Sequence, residues 1–169
     1  YEVKDPAVIS QLVELVTKEG KSPKTEFVGK SAKYILDKIG ISVGDDVKVI
    51  LMETKEDHPF VQVELMMPIL PLVRVPDVDQ AIEMAVRVEH GNRHTAMMHS
   101  RNVEKLTKMA KLIQTTIFVK NGPSYAGIGV GGEGYTTFTI AGPTGEGLTS
   151  AKSFARRRRC VLVGGMDVR

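Results

Sequence analysis

Among 169 residues there is a single cysteine, Cys160, and no tryptophan, and aromatic residues make up only 5% of the chain. A lone thiol closes no internal disulfide, so a reducing compartment is the expected setting. Scarce aromatics leave few platforms on which nucleic-acid bases could stack. The net charge of +3 arises largely from one block, Arg156 to Arg159, rather than from a broad basic face. No nucleic-acid partner is expected from that pattern, and an RNA-binding domain would instead show affinity falling steeply with salt. No apolar run approaches the roughly 18 residues that span a bilayer. Residues Tyr1 to Gly20 lack the basic, apolar and small-residue order of an export signal, so neither a membrane nor secretion is expected. What is present, 42% hydrophobic and 25% charged residues, is ordinary for a globular domain with its own core.

Hydrophobic spacing divides the chain into alternating elements. Pro6 followed by Val8, Ile9, Leu12, Val13, Leu15 and Val16 predicts a helix with proline in its first turn and Gly20 as its stop. Ser31 is placed to cap a second helix that carries Ala32, Tyr34, Ile35, Leu36 and Ile39 and ends at Gly40. The β-branched and apolar run Val47 to Met52 predicts a buried strand. Beyond it the pattern predicts a strand over Ile69 to Val75, a helix over Val78 to Glu89 capped by Asp77, and a strand over Thr95 to His99. A helix over Val103 to Ile113 and a strand over Thr116 to Lys120 complete the series. Strand and helix in strict turn predict βαβ crossovers, hence an α/β fold with a mostly parallel sheet. After Lys120 the sequence turns to glycine, serine, proline and threonine, and long irregular segments of that kind tend to carry function. The closing SFARRRRCVLV predicts a strand whose pairing partner lies outside the domain.

Several motifs invite chemistry and are weighed against plainer roles. Gly127, Gly129 and Gly132 spell the dinucleotide fingerprint, yet no strand directly precedes them and no helix follows. His90, His94 and His99 include the i, i+4 spacing of a zinc helix, but Gly91 and Asn92 interrupt it and no suitable thiol or carboxylate ligands accompany it, so no metal is expected. Cys160 lies beside four arginines that favour a thiolate, while its alternation with Val161 and Leu162 suits a small packed residue. Glu64 reads either as a surface carboxylate or as a loop residue at the mouth of a buried strand.

The strings ELMMPILPLVRV from Glu64, EHGNRHT from Glu89, VKNGPSYAGIGVGGEGYTTFTIAGPTGEGLTSA from Val119 and RRRRCVLV from Arg156 together resemble the CoA-acylating branch of the aldehyde dehydrogenases. The forms most similar to them serve ethanolamine or propanediol breakdown in bacterial microcompartments. The likeness is strong from Glu64 to Arg159 and runs in outline through FVGKSAKYILDKIGI nearer the start. It implies the three-layer α/β/α catalytic domain of that family with its mostly parallel sheet. Residues 1–150 would be a catalytic-domain portion and residues 151–169 a C-terminal oligomerisation strand and tail.

The resemblance also implies a chemistry. Such enzymes oxidise a short aldehyde, acetaldehyde or propionaldehyde, with NAD through a cysteine thioester and hand the acyl group to CoA. Glu64 would hold the ribose of the nicotinamide half of NAD. His94 would serve the CoA step as a general base or by orienting the thiol, and Asn121, Ser124 and Tyr125 would lie near substrate or CoA. Cys160 does not match the position of the family's nucleophile, so the chain reads as a C-terminal fragment that is inactive alone. A homo-oligomer formed through the last strand, microcompartment shell or cargo proteins as partners, and a cytoplasmic or microcompartment location follow from the same likeness. The contrasting expectation is a non-catalytic assembly or binding module that keeps the fold and uses its arginine strand for contact.

Overall fold

The computed structural model describes residues 1–133, 151–161 and 163–164. The chain divides into two compact units, Tyr1–Val88 and Glu89–Arg169.

The first unit is built on a three-stranded parallel sheet. Strand β1 (Glu2–Val3) pairs with β4 (Ile50–Glu53), and β4 pairs with β5 (Ile69–Leu72), in the spatial order β1-β4-β5. Between β1 and β4 run helix α1 (Pro6–Val16), a small antiparallel hairpin of β2 (Thr17–Lys18) and β3 (Ser22–Pro23), and helix α2 (Ala32–Asp37). Asp5 caps α1 by accepting from the Ala7 N–H at 2.8 Å, and Pro6 occupies the first turn, where its missing N–H costs nothing. The expected stop at Gly20 is corrected. The helix ends at Val16, because Thr17 turns into the hairpin and its hydroxyl both donates to Val13 O at 2.6 Å and accepts from Gly20 N at 3.0 Å. Gly20, with φ +68°, forms the hairpin bend instead.

Helix α2 begins at the expected cap but stops at Asp37, before the expected Ile39, with Gly40 in the turn that follows. Ser31 accepts from Tyr34 N at 3.2 Å, and Gly40 adopts φ +78° while Ile41 N reaches back to Leu36 O at 3.0 Å. That back-bond satisfies a carbonyl left open at the helix end. Leu12, Val16, Ile35, Leu36, Ile50 and Met52 lose all solvent contact, and Val3, Phe27, Phe60, Leu65 and Ile69 close the same core. At roughly 1.5–3 kcal/mol for each large side chain removed from water, this cluster is the main source of the unit's stability.

A one-turn helix, α3 (Pro59–Gln62), lies in the crossover from β4 to β5, and helix α4 (Val78–Val88) follows β5. Asp77 caps α4 through Gln80 N at 2.9 Å, and those hydrogen bonds hold its carboxyl below the usual range. Arg87 grips Glu56 with two bonds of 2.9 and 3.0 Å, tying the last turn of α4 to the segment after β4. His58 caps α3: its Nδ1 accepts from Phe60 N at 3.2 Å, and burial depresses its pKa against the opposing pull of Asp57. Only neutral imidazole has that acceptor. Because the folded pKa lies below the unfolded one, the contribution is complete above the ordinary value near 6.5 and is lost as pH falls through that value towards the depressed one. The melting temperature should therefore fall as pH drops below about 6.5, and His58→Asn, which keeps an acceptor without titrating, should flatten the profile. An identical slope in the variant would assign the pH response elsewhere.

In the second unit β6 (Thr95–Met98) and β7 (Ile117–Lys120) pair in parallel, Thr95 opposite Ile117 through Met98 opposite Lys120. Helix α5 (Val103–Ile113) makes the crossover and buries Leu106, Met109 and Ile113 along one face. Asn102 caps it through Lys105 N at 3.0 Å, and Gln114 ends it in the left-handed conformation. A 3₁₀ turn, Ser124–Ile128, follows β7 and packs against it. Among the described residues the expected C-terminal strand forms no ladder, and residues 155–161 lie outside any helix or strand. A strand is defined by its pairing, and its expected partner lies outside the domain. The expected segment's Leu162 and most of GEGYTTFTIAGPTGEG lie outside the described residues.

Candidate active site

Glu64 stands in the loop between α3 and β5, at the start of the approach to that parallel strand. Its side chain is exposed, and among the described residues no hydrogen bond or ion pair engages the carboxylate. Its surroundings are fixed all the same. Leu65 is buried in the core, and the Met66 carbonyl accepts from Gly29 N at 3.1 Å. Met66 itself adopts φ +54° with its side chain 57% exposed, a conformation that costs a non-glycine residue roughly 1–2 kcal/mol. Gly29, at φ +72°, supplies the matching turn without that cost. A free carboxylate on a braced loop has both oxygens available to accept hydrogen bonds.

His94 immediately precedes β6. Its carbonyl accepts from Ile117 N at 3.2 Å, which opens the β6–β7 ladder, and Thr116 N donates to Arg93 O at 2.9 Å. The half-buried imidazole has no hydrogen-bond partner among the described residues, unlike a structural histidine with its ring nitrogens engaged. Backbone and ring are thus divided in function: the peptide is held and the ring nitrogens remain open to a substrate proton. Residues 89–93 form a tight connection in which His90, Gly91 and Arg93 all have positive φ, of +55°, +75° and +55°. The connection explains why the His90/His94 spacing does not lie on a helix face. Among the described residues no three of His, Cys, Asp or Glu gather as a metal site.

The third group separates on inspection. Asn121, at φ +56°, uses both ends of its amide: Oδ1 accepts from Ser100 N at 2.7 Å, and Nδ2 donates to Ser100 O at 3.0 Å. It also donates its backbone N–H to Met98 O at 3.0 Å, so it fastens the C-terminal ends of β6 and β7 together. One amide hydrogen and one oxygen lone pair remain beside the clasp for any further contact. Ser124 and Tyr125 carry hydroxyls without partners among the described residues, Tyr125 being 62% exposed. His94 and Asn121 stand at opposite ends of the β6–β7 pair, roughly 15 Å apart at about 3.3 Å of rise per residue. The chain after Asn121 doubles back, however. Gly127 sits so near Ile117 that a Cβ there would collide with the isoleucine Cγ2 and lie 3.5 Å from Val119 Cγ2. The Ile117 rung is the one that receives His94, so this glycine lets the 3₁₀ turn return along β7 towards it. The described glycines serve close packing and turning, with φ +95° at Gly129 and +71° at Gly131, around a 3₁₀ turn. Cys160 is exposed within this chain, as are all four arginines before it. Without a partner strand there is no buried face for the thiol to join.

Sequence reasoning passed over Glu89, whose carboxylate accepts from the backbone N–H groups of both Arg93 and His94. An acid just beyond a helix end, followed by Gly-Asn, is the only signal for it in the sequence.

Comparison with known proteins places this geometry. The model of the aldehyde dehydrogenase family matches residues 47–145. The propanal dehydrogenase (CoA-propanoylating) of Salmonella typhimurium is 52% identical over 165 residues, covering 97% of this chain and 35% of that protein. A crystal structure of Rhodopseudomonas palustris propionaldehyde dehydrogenase, with bound CoA and an acylated cysteine, is 70% identical and superposes with a TM-score of 0.89. The match covers all of this chain and 38% of the other. A propionaldehyde dehydrogenase from the fucose utilisation bacterial microcompartment of Clostridium phytofermentans is 48% identical, at a TM-score of 0.85, over 100% of this chain and 38% of that one. The chain spans about a third of the length of the curated relatives it matches. These similarities reach from the first strand through the Glu64 loop to the glycine-rich return, and with the family model they show that the chain belongs to the aldehyde dehydrogenase family.

Proposed function

We propose that this chain is the part of a CoA-acylating aldehyde dehydrogenase that holds the nicotinamide ribose and serves the acyl-transfer half of the reaction. The observation that carries the reading is the full-length superposition, at 70% identity, on a propionaldehyde dehydrogenase seen with CoA and an acylated cysteine. A nicotinamide dinucleotide, NAD in this proposal, supplies the hydride acceptor when bound. Glu64 accepts hydrogen bonds from the two ribose hydroxyls and so fixes the ring against the reacting carbon. His94 takes the proton from the CoA thiol as sulfur attacks the thioester carbonyl and the cysteine thiolate leaves. Ser124 and Tyr125 line the approach of substrate or CoA, while Asn121 acts by holding the strand ends from which that approach begins. The attacking cysteine, in this proposal, is a residue other than Cys160, which does not match the position of the family's nucleophile.

Residues 1–150 belong, in this proposal, to the catalytic-domain portion and residues 151–169 to an oligomerisation strand completed by a second subunit. The microcompartment origin of one similar enzyme supports shell or cargo proteins as further partners and a cytoplasmic, microcompartment-enclosed location.

Protein carrying this chain within its whole reading frame should reduce NAD with propanal or acetaldehyde, in multiple turnovers only when CoA is supplied, and Cys160→Ser should leave the rate unchanged. Turnover that releases free acid without CoA would overturn the acylating assignment. Loss of activity in folded Cys160→Ser would overturn the exclusion of that thiol. Parallel assays with NADP identify the preferred acceptor.

A further inference from the structure

We propose that Glu89 is a positioning residue that sets His94 for the CoA half-reaction; this rests on the reading of His94 given above. The connection between α4 and β6 must bring the chain out of a helix and into a parallel strand within six residues, and it does so through three positive φ values. Two of these fall on His90 and Arg93, where a side chain makes the left-handed conformation unfavourable. Such a path persists only where its surroundings over-determine it. Glu89 provides the determination from both of its polar ends. Its carbonyl accepts from the backbone N–H of Asn92 at 3.2 Å and from Asn92 Nδ2 at 3.1 Å. Its carboxylate oxygen Oε1 accepts from the N–H of Arg93 and, at 3.3 Å, from that of His94.

The carbonyls of the same two residues are taken by Thr116 and Ile117 at the start of β7. Arg93 and His94 are therefore held by their N–H groups on one side and their carbonyls on the other, and the carboxylate is the only side chain among these partners. Since the imidazole of His94 has no hydrogen-bond partner of its own among the described residues, the ring is aimed through the backbone that Glu89 holds. Misplacing a reacting group by about 1 Å can cost on the order of 100-fold in rate, so the clamp bears on catalysis although Glu89 touches no substrate.

The test is a double-mutant cycle in the complete enzyme, reading the single-turnover burst of hydride transfer separately from CoA-dependent acyl release. Glu89→Ala is expected to slow acyl release roughly 10- to 100-fold with the burst and the KM for CoA unchanged. Glu89→Gln, whose amide oxygen accepts the same two N–H groups, should recover most of the rate. In a His94→Ala background Glu89→Ala should cause no further loss, because a residue that acts through the imidazole has nothing left to position. Should Glu89→Ala melt early, Glu89→Asp, one methylene short of the N–H groups, gives the same comparison.

Additive losses, or a folded Glu89→Ala enzyme with full acyl-transfer rate beside a slow His94→Ala, would overturn the positioning role alone. A full rate in His94→Ala would remove the reading of His94 and the role of Glu89 together.

Discussion

His94→Ala in the complete enzyme should slow CoA-dependent acyl release by about 10²- to 10⁴-fold, the range over which a positioned acid or base contributes, while the first equivalent of NADH still forms in a burst. The structural argument is the contrast between a held backbone and an unoccupied ring. His94 O receives Ile117 N at 3.2 Å, its N–H is taken by Glu89, and neither contact involves the imidazole. Truncation to alanine therefore keeps the ladder and removes only the ring, so melting should shift little. His94→Gln, which can hydrogen-bond the thiol but cannot take up its proton, separates the two assigned roles. Recovery by glutamine would mean that orientation dominates, and continued slowness that proton transfer does. Equal losses in the burst and in acyl release would place His94 in the aldehyde half of the reaction instead.

How much of this was legible beforehand varies with the kind of signal. Helix starts marked by a cap were read to the residue, as with Asp77 before α4 and Ser31 before α2, and α5 was read whole; the ends of α1 and α2 were read too long, because Gly20 and Gly40 lie in turns beyond Val16 and Asp37. Strands were read too long, as with Val47–Met52 against Ile50–Glu53, because apolar residues continue past the point where ladder hydrogen bonds start. Elements of two to four residues, β1, the β2–β3 hairpin and α3, were missed entirely. Their existence depends on partners distant in sequence, such as Val3 opposite Met52, and on local side-chain bonds such as Thr17 to Gly20, which leave no periodic trace.

The site divides in the same way. Glu64 and His94 could be named only through resemblance, since a lone acid and a lone histidine have ordinary structural roles; the structure adds that both side chains lack partners among the described residues. Asn121 differs, a polar residue in a glycine-rich segment whose amide makes one bond at each end to Ser100. Glu89 was invisible because its contacts run to backbone N–H groups, which every residue but proline has, so no residue type four or five positions later could announce them.

Glu64→Ala should lower kcat/KM for the nicotinamide dinucleotide roughly 10- to 150-fold, the equivalent of losing about 1.5–3 kcal/mol of hydrogen bonding to a charged group. Glu64→Gln should fall between, because its amide oxygen can still accept from one hydroxyl while its nitrogen cannot. The carboxylate is exposed and unpaired among the described residues, so its removal should change folding stability by no more than about 0.5 kcal/mol, and activity and stability should part company. The loop around it makes the reverse comparison. Leu65 is 6% exposed and packs with Phe60 and Ile69 in the core. Leu65→Ala should therefore cost about 2–5 kcal/mol and lower the melting temperature while leaving the carboxylate chemistry intact. If Glu64→Ala instead turned over at the parent rate with unchanged affinity for the dinucleotide, the residue would be an ordinary surface acid, and the ribose would have to be held from elsewhere. If it reduced activity only in step with its melting temperature, the loop's contribution would be to packing. A loss of kcat/KM at constant stability is the result that a free carboxylate on a braced loop predicts.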